Sequence, residues 1–495
     1  MAEIIFQVPE DMANGASSPE RFEVPTTDAT SQLRRWLAPL GSDLPSLFMV
    51  GGAVRDHLLG RPHKDLDLIC PQAEALARRL GRIHQATVVP FLKKADAPCH
   101  RVVSPADPED FLDLSPIAGG SVAADLGRRD FTVNAMALPI LPGAGFGPVI
   151  DPLGGRRDLE TRIIRACGPN AFRDDPVRIL RAVRIAAQLG FVMAPVTLDL
   201  ARREAAALVS VAVERCVKEI FDLLAQPASA GHIRILDELG ALEAILPEIR
   251  PLKGCGQNAY HHLDVWGHSL AVLEQLEALL AEPAARFGAA AGAVLELLHT
   301  RRRLPVLKLA CLLHDLGKPA CRREAPGTGQ VLFYGHAKAG AVQAEAAARR
   351  LKLATHDRER LVLLVARHMQ AADWSRPGVR PGTLMKWGRR LGDDMVLLVL
   401  LCMADTLAKR GPAADADERR RRLQWGRETL EAYFDIVVPA LGARPLITGR
   451  DLLALGLAPG PRIGEILARV TAARDAGQIT TRREALEMAR KAAGQ

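Results

Sequence analysis

The spacing of apolar positions changes once, about a third of the way along the chain. From about Thr30 to Ile164, short apolar runs alternate with stretches of helical spacing. Leu47–Val50 and Asp65–Ile69 read as strands, and Val54–Gly60 and Ala73–Gly81 as helices. Further strands are predicted at Thr87–Phe91, Cys99–Val103, Asp110–Leu114 and Thr132–Leu138, giving an α/β or α+β unit with a modest sheet. After about Arg165 the strand signals fade. Pro176–Leu189, Leu198–Leu208, Arg215–Leu224 and His232–Leu239 have helical spacing, with Gly190 and Gly240 as stop signals. A mostly helical stretch continues from His261 to about Leu441, and the linker Gly442–Pro445 leads into a short basic helical tail. The first 28 residues mix Pro, Ser, Gly and acid and are expected to be a loose leader. The expected domains are therefore a leader (1–28), a head (29–165), a helical neck (166–250), a helical body (251–441) and a tail (442–495).

Composition narrows the class. A chain of 495 residues is too long for one compact core. Hydrophobic content of 48% and charged content of 25% are ordinary for a soluble globular protein. Aromatic residues make up only 4%, so stacking is not expected to dominate recognition. A net charge of +8, carried mostly by Arg, suits a phosphate-rich partner and equally an Arg-rich solvated surface. The eight cysteines contain no C-x-x-C, which argues against a disulfide framework and a thiolate zinc site. The N-terminus has no basic start followed by an apolar run, and the longest apolar stretches (Leu361–Ala366, Met395–Met403) are too short to span a bilayer. A cytoplasmic protein without a membrane partner is expected.

Chemistry enters at Met49–Asp56, MVGGAVRD, where Gly51 and Gly52 lie between a predicted strand and a helix start. Glycines there let backbone N–H groups approach phosphate, although a plain tight turn has the same look. Asp65 and Asp67 follow at i and i+2 of a strand, so both carboxylates face the same side. A solvated strand face shows that pattern too; its place just after the Gly-Gly turn favours a site binding Mg²⁺. Asp113 on a later strand is a candidate third carboxylate or a surface acid, and Arg128 with Arg129 reads as a triphosphate clamp.

These blocks, with RRDFTVNAM at 128–136 and DPLGG at 151–155, resemble class II tRNA nucleotidyltransferases and bacterial poly(A) polymerases of the polymerase-β-like superfamily. The resemblance covers roughly residues 45–245. It implies an α+β chain: a polymerase-β-like head with a small mixed sheet, an all-α neck, a helical body and a helical tail. It also implies Asp65 and Asp67 as catalytic, with Asp113 the candidate beside them, Gly51, Gly52 and Arg55 in the nucleotide-binding block, and Arg129, Asp130 and Asn134 positioning ribose and triphosphate. The segment DPLGG corresponds to a hinge. In the neck, Asp175 and Arg178 share a face and could present a base-pair-like edge to C and A; a surface ion pair has the same spacing. The block resembles the family motif E-D-x-x-R, with Asp174 in place of Glu. Arg181 and Arg184 continue that face toward triphosphate or RNA, or toward solvent.

In the body, His268, the doublet His314-Asp315 and Asp405 resemble the H…HD…D ligand set of the HD superfamily of metal-dependent phosphohydrolases, over about residues 258–410. His336 and His368 match its accessory histidines. Mixed imidazole and carboxylate ligands imply a divalent transition metal whose identity the sequence does not rank. In the tail, Arg450, Arg462, Arg469 and Arg482 are candidates for tRNA phosphate contacts or an ordinary basic surface. The expected activity is addition of C and A to the tRNA 3′ end from CTP and ATP. The alternatives are poly(A) polymerase, a CC-only or A-only enzyme, or mainly an HD phosphohydrolase. No extra basic block of the poly(A) polymerase kind follows Asp67.

Overall fold

The computed structural model describes residues 28–62, 66–94, 97–374, 381–475 and 477–493. Asp65 lies outside them. The chain divides into two compact units, Met1–Ala171 and Phe172–Gln495.

The first unit is built on a seven-stranded mixed sheet in the order β3-β4-β5-β2-β1-β6-β7. Its strands are β1 (Phe48–Val50), β2 (Leu66–Cys70), β3 (Thr87–Lys94), β4 (Ala97–Val103), β5 (Phe111–Pro116), β6 (Ala137–Leu141) and β7 (Gly145–Phe146). Only β2 and β5 run parallel; the other neighbours are antiparallel. In β2, Leu66 and Leu68 are buried while Asp67 between them is half-buried, the two-residue period of a strand with one wet face. Helix α1 (Asp28–Leu37) buries Leu33 and Trp36, and Gln32 and Trp36 both donate to Asp110 at the head of β5. The unit also contains helices α2 (Gly52–Leu58), α3 (Ala73–Ile83) and α4 (Val122–Gly127). Ala73, Leu76, Ala77 and Leu80 form the buried stripe of α3.

The expected strand over 132–138 is instead a 3₁₀ turn, Thr132–Asn134, followed by β6. Buried polar side chains dictate this. Thr132 Oγ1 donates to Asp158 Oδ2 at 2.6 Å, while Asn134 Oδ1 accepts from Arg55 and its Nδ2 donates to Asp130. A strand would send alternate side chains to opposite faces, and this turn keeps each beside its partner.

The second unit is helical apart from short two-residue strands. Its helices include α5 (Arg178–Leu189), α6 (Val213–Leu224), α7 (Val265–Ala281), α8 (Arg303–Leu313), α9 (His336–Arg350), α10 (Thr355–Trp374), α11 (Asp394–Ala408) and α12 (Ala416–Ala432). All of α8 and the run Met395–Ala404 of α11 are buried, as expected of helices apolar all round at the centre of a bundle. A hairpin, β8 (Arg323–Glu324) with β9 (Val331–Leu332), interrupts the helices before α9. Among the described residues no single helix is long and apolar enough to cross a membrane; the pair Val265–Ala281 and Pro283–His299 passes by length and composition only when taken together across a 95° bend.

One charge lies in the middle of this apolar packing. Lys308 of α8 is fully buried, and its Nζ donates to the Gln226 carbonyl and to Glu277 Oε1, each at 2.6 Å. The same carboxylate accepts from the Ser229 amide and hydroxyl and from the Ala230 amide, so one ion pair joins α7, α8 and the turn after α6. Removing one partner strands a buried charge. Lys308→Met is predicted to lower unfolding free energy by about 3 to 5 kcal/mol in denaturant titration; a loss below about 1 kcal/mol would contradict this role.

Candidate functional site

The head site starts where β1 ends. Gly51 has φ +77°, a backbone state that favours glycine. A Cβ there would lie 3.3 Å from Arg129 Nη1 and 3.6 Å from Asp67 Oδ2, so the turn, the β2 carboxylate and the arginine converge on one spot. Across the parallel β2–β5 pair, Asp67 is in register with Asp113. Asp113 is buried, and Arg101 of β4 holds it with Nε–Oδ1 at 2.8 Å and Nη2–Oδ2 at 3.0 Å. The Arg101 guanidinium in turn stacks on Phe111 at 3.9 Å. Arg129 is aimed by Asp125, which accepts from its Nη2 at 2.9 Å and from the Ala118 amide. Asp67, Arg128 and Arg129 share the lining of a cavity of about 470 Å³. Hard oxygen donors beside arginines suit a cation together with a polyphosphate.

Two expected nucleotide-binding residues are placed in the supporting structure. Arg55 is buried, forked onto Asp56 and donating to Asn134 Oδ1 at 2.8 Å. Asn134 is also buried and reaches back to Asp130. Asp151 accepts from the Gly155 and Arg156 amides, which makes DPLGG a capped turn into the helix Gly155–Glu160.

In the second unit, Asp175 lies in the turn before α5 and Arg178 is the first residue of that helix, two residues later than the expected start at Pro176. Backbone bonds from Arg178 to Asp175 and from Ile179 to Pro176 span three residues, so the chain turns here before the helix takes hold. Arg178 is buried, and Arg215 pins Asp175 at 2.7 Å. Arg181 is exposed on α5, whereas Arg184 pairs with Glu219 of α6 and Gln188. In the tail, Arg482 pairs with Asp451 and Arg462 donates to the Ala493 carbonyl.

The body gathers its predicted ligands at the ends of the central helices. Nitrogen of His268 and His314 and oxygen of Asp315 lie within 4.8 Å of one another, and Asp315, His336 and His368 form a second such trio. His268 Nε2 is 3.0 Å from Asp405 Oδ1. The Nδ1 atoms of His314, His336 and His368 each lie 2.8–2.9 Å from a backbone carbonyl three residues earlier. Carbonyls only accept, so Nδ1 carries a proton and each Nε2 is left facing the cluster. Two consequences fit a metal centre. His336 and His368 bring Nε2 to Nε2 at 3.2 Å, lone pair against lone pair, and buried His314 Nε2 stands 3.0 Å from Asp315 Oδ2. A divalent cation satisfies both.

Electrostatics agree. Burial raises the Asp315 carboxyl, but His314 and Lys318 outweigh it and hold the group well below the usual carboxylate range. Lys409 and His268 do the same for Asp405 against its burial. Burial lowers His268 and His336, and takes His368 down to about 3. His314 is opposite: burial pulls it down, yet Asp315 leaves it above its ordinary value.

The "Poly A polymerase head domain" profile matches residues 47–165, "Probable RNA and SrmB- binding site of polymerase A" matches 190–253, and "HD domain" matches 265–409. The A-adding tRNA nucleotidyltransferase of Deinococcus radiodurans is 34% identical over 458 residues, covering 90% of this chain and 95% of the relative. The chain belongs to the tRNA nucleotidyltransferase family. The CC-adding enzyme of Thermus thermophilus is 34% identical over 88% of this chain and 92% of its own length, and the multifunctional CCA protein of Methylococcus capsulatus is 32% identical over 86% and 92%. The Thermotoga maritima CCA-adding enzyme, solved with tRNA, shares the fold with a TM-score of 0.60 at 20% identity, covering 93% of this chain and 95% of that one. This chain is thus a nucleotidyltransferase with an HD domain, and both families are metal-dependent.

Reading the sequence alone missed the residues that hold this nucleotidyltransferase's charges in place. Asp125 stands four before Arg129 and was legible as an i,i+4 pair. Lys318 and Lys409, each 2.6 Å from a cluster carboxylate, stand three and four residues after Asp315 and Asp405. Arg101 left no such signal, because its pairing with Asp113 depends on strand register.

Metal binding needs a neutral Nε2, and only His314 among the cluster histidines is raised. Transition-metal affinity, followed by equilibrium dialysis, is predicted to fall with decreasing pH at a slope of about one proton, and His314→Ala to lose bound metal that Asp67→Asn retains. A slope of several protons, or metal loss only in Asp67→Asn, would contradict the assignment.

Proposed function

We propose that this chain completes the 3′ end of tRNA, adding C and A from CTP and ATP with release of pyrophosphate. The observation that carries this reading is the register of Asp67 with Asp113 beside the Gly51 turn and Arg129. Asp65 and Asp67 hold Mg²⁺, which lowers the charge barrier to in-line displacement when bound. The tRNA 3′-hydroxyl gives up its proton to solvent as its oxygen attacks the α-phosphorus; the new O3′–P bond forms as the bond to the β-phosphate oxygen breaks and pyrophosphate leaves. Arg128 and Arg129 grip the triphosphate, Gly51 and Gly52 let it approach the backbone, and Asp130 orients the ribose. Arg55 and Asn134 act by fixing Asp130 and the turn, as their burial supports. Asp113, restrained by Arg101, completes the carboxylate set.

Asp175 and Arg178 read the base edge. The carboxylate accepts from the exocyclic amine of C or A, and the guanidinium donates to a ring acceptor; U and G leave these groups unpaired. Arg181 faces phosphate, while Arg184 orders the helix through Glu219. Arg450 and Arg469 of the tail meet tRNA phosphates, with Arg462 and Arg482 holding that surface together. We place the protein in the cytoplasm with its substrate.

A specific observation favours a second reading of the product: the A-adding and CC-adding relatives each match at 34% identity. The deciding experiment supplies tRNA ending before C, after CC and after CCA with each labelled nucleotide. Incorporation of two C residues and then A is expected. Product stopping at CC, or A added only to CC-ended tRNA, would replace CCA addition with the partial activity, and a long A tract would indicate poly(A) synthesis. In the same assay Asp175→Ala is predicted to cut discrimination against UTP and GTP by about tenfold or more; unchanged selectivity would remove Asp175 from base choice.

The body supports a separate metal-dependent phosphohydrolase with a divalent transition metal on His268, His314, Asp315 and Asp405 and a second on His336 and His368. A 2′,3′-cyclic nucleotide tests it: ring opening is expected to be lost in His314→Ala and kept in Asp67→Asn. No metal-dependent hydrolysis by the parent chain would refute this activity.

A further inference from the structure

The chain has three tyrosines. Tyr433 is buried with its hydroxyl on Asp393, whereas Tyr260 and Tyr334 line the same cavity of about 480 Å³, which also contains His314, Asp315, His336 and His368. Tyr334 is 81% exposed and Tyr260 47%, so neither ring serves the core. In a chain with 4% aromatics, two such rings around one cavity call for a ligand.

Both rings stand on pinned backbone. The Gly411 amide donates to the Tyr260 carbonyl at 2.9 Å and the Ala413 amide to the Ala259 carbonyl at 3.1 Å, while the Tyr260 amide is held by Asn258. Tyr334 follows the β8–β9 hairpin, between buried Phe333 and left-handed Gly335, and the His336 amide donates to the Phe333 carbonyl. One turn therefore sets both Tyr334 and His336 on the cavity wall. Lys409, Arg419 and Arg422 line it as well, with Asp415 and Glu418; Arg419 donates to the Lys409 carbonyl and Arg422 to Glu418.

We infer that Tyr260 and Tyr334 form a base-stacking platform, so that the body takes a nucleoside phosphate, with its ring on the tyrosines and its phosphate at the histidine–aspartate cluster. This rests on the reading of the body as a metal-dependent phosphoester site. Exposed aromatic rings on the wall and, inside, the histidine–aspartate cluster with Lys318 and Lys409 match a ligand that is aromatic at one end and a phosphate at the other. A sugar phosphate would engage only the interior. The cavity volume suits one nucleotide. That unit is either a free nucleotide or the end of an RNA chain, which share this chemistry.

The test uses the full chain with Mn²⁺, comparing the parent with Tyr260→Ala/Tyr334→Ala and Tyr260→Phe/Tyr334→Phe. Binding of adenosine 3′-monophosphate and of ribose 5-phosphate is measured by calorimetry; the head site is the same in all three, so differences report the body. The alanine pair is expected to lose about tenfold in affinity for the nucleotide and the phenylalanine pair about twofold at most, with ribose 5-phosphate unchanged. Unchanged nucleotide affinity in the alanine pair, a parallel loss for ribose 5-phosphate, or no binding by the parent would overturn the platform. A trinucleotide with a 3′-phosphate separates the sources. Tighter binding than the mononucleotide, with the same tyrosine dependence, assigns an RNA end, and equal binding assigns a free nucleotide. Tyrosine-dependent binding without hydrolysis refutes only the phosphohydrolase; hydrolysis of a cyclic nucleotide with the same KM in all three chains refutes only the platform.

Discussion

Like charges held together away from bulk water must be neutralised, and that constraint organises both candidate centres. In the head, parallel pairing puts Asp67 and Asp113 in register. Arg101 neutralises one, and the Gly51 turn and Arg129 stand over the other. In the body, Asp315 and Asp405 are held among histidines, and Lys318 and Lys409 reach each carboxylate at 2.6 Å. Each arrangement is an anionic core with a cationic rim. Such a site takes a metal ion into its core and presents charge to a phosphate at its edge.

The two centres meet the constraint with different scaffolds. Strand register fixes the head carboxylates, so a one-residue slip would turn Asp67 into the core and Leu68 out of it. The body instead uses helices buried all round, with His314, Asp315 and Asp405 at or near the ends of α8 and α11. Backbone carbonyls then orient the imidazoles of His314, His336 and His368, which leaves little rotational freedom to be lost when a ligand binds.

Much of this was legible in the sequence. The two-residue period around Asp67 and the helical period beyond Arg165 mark the two units, and the blocks around Gly51, Asp175, His314 and Asp405 mark the sites. What was not legible depends on the third dimension. The Arg101–Asp113 pair requires knowing which strands are neighbours. The Thr132–Asn134 turn reads as strand because its apolar neighbours alternate, and only the buried partners Asp158 and Arg55 explain why it bends. Tyr260 and Tyr334 lie 74 positions apart in irregular segments, where no period links them.

The head carboxylates, and not the body cluster, are expected to make the phosphodiester bond. The most direct measurement is single-turnover addition of labelled CTP and ATP to tRNA lacking CCA, comparing the parent chain with Asp65→Ala/Asp67→Ala and with His314→Ala. Both additions are expected to fall in the double variant by about a thousandfold or more, with parental rates in His314→Ala. Parental addition by the double variant, with loss in His314→Ala, would contradict it.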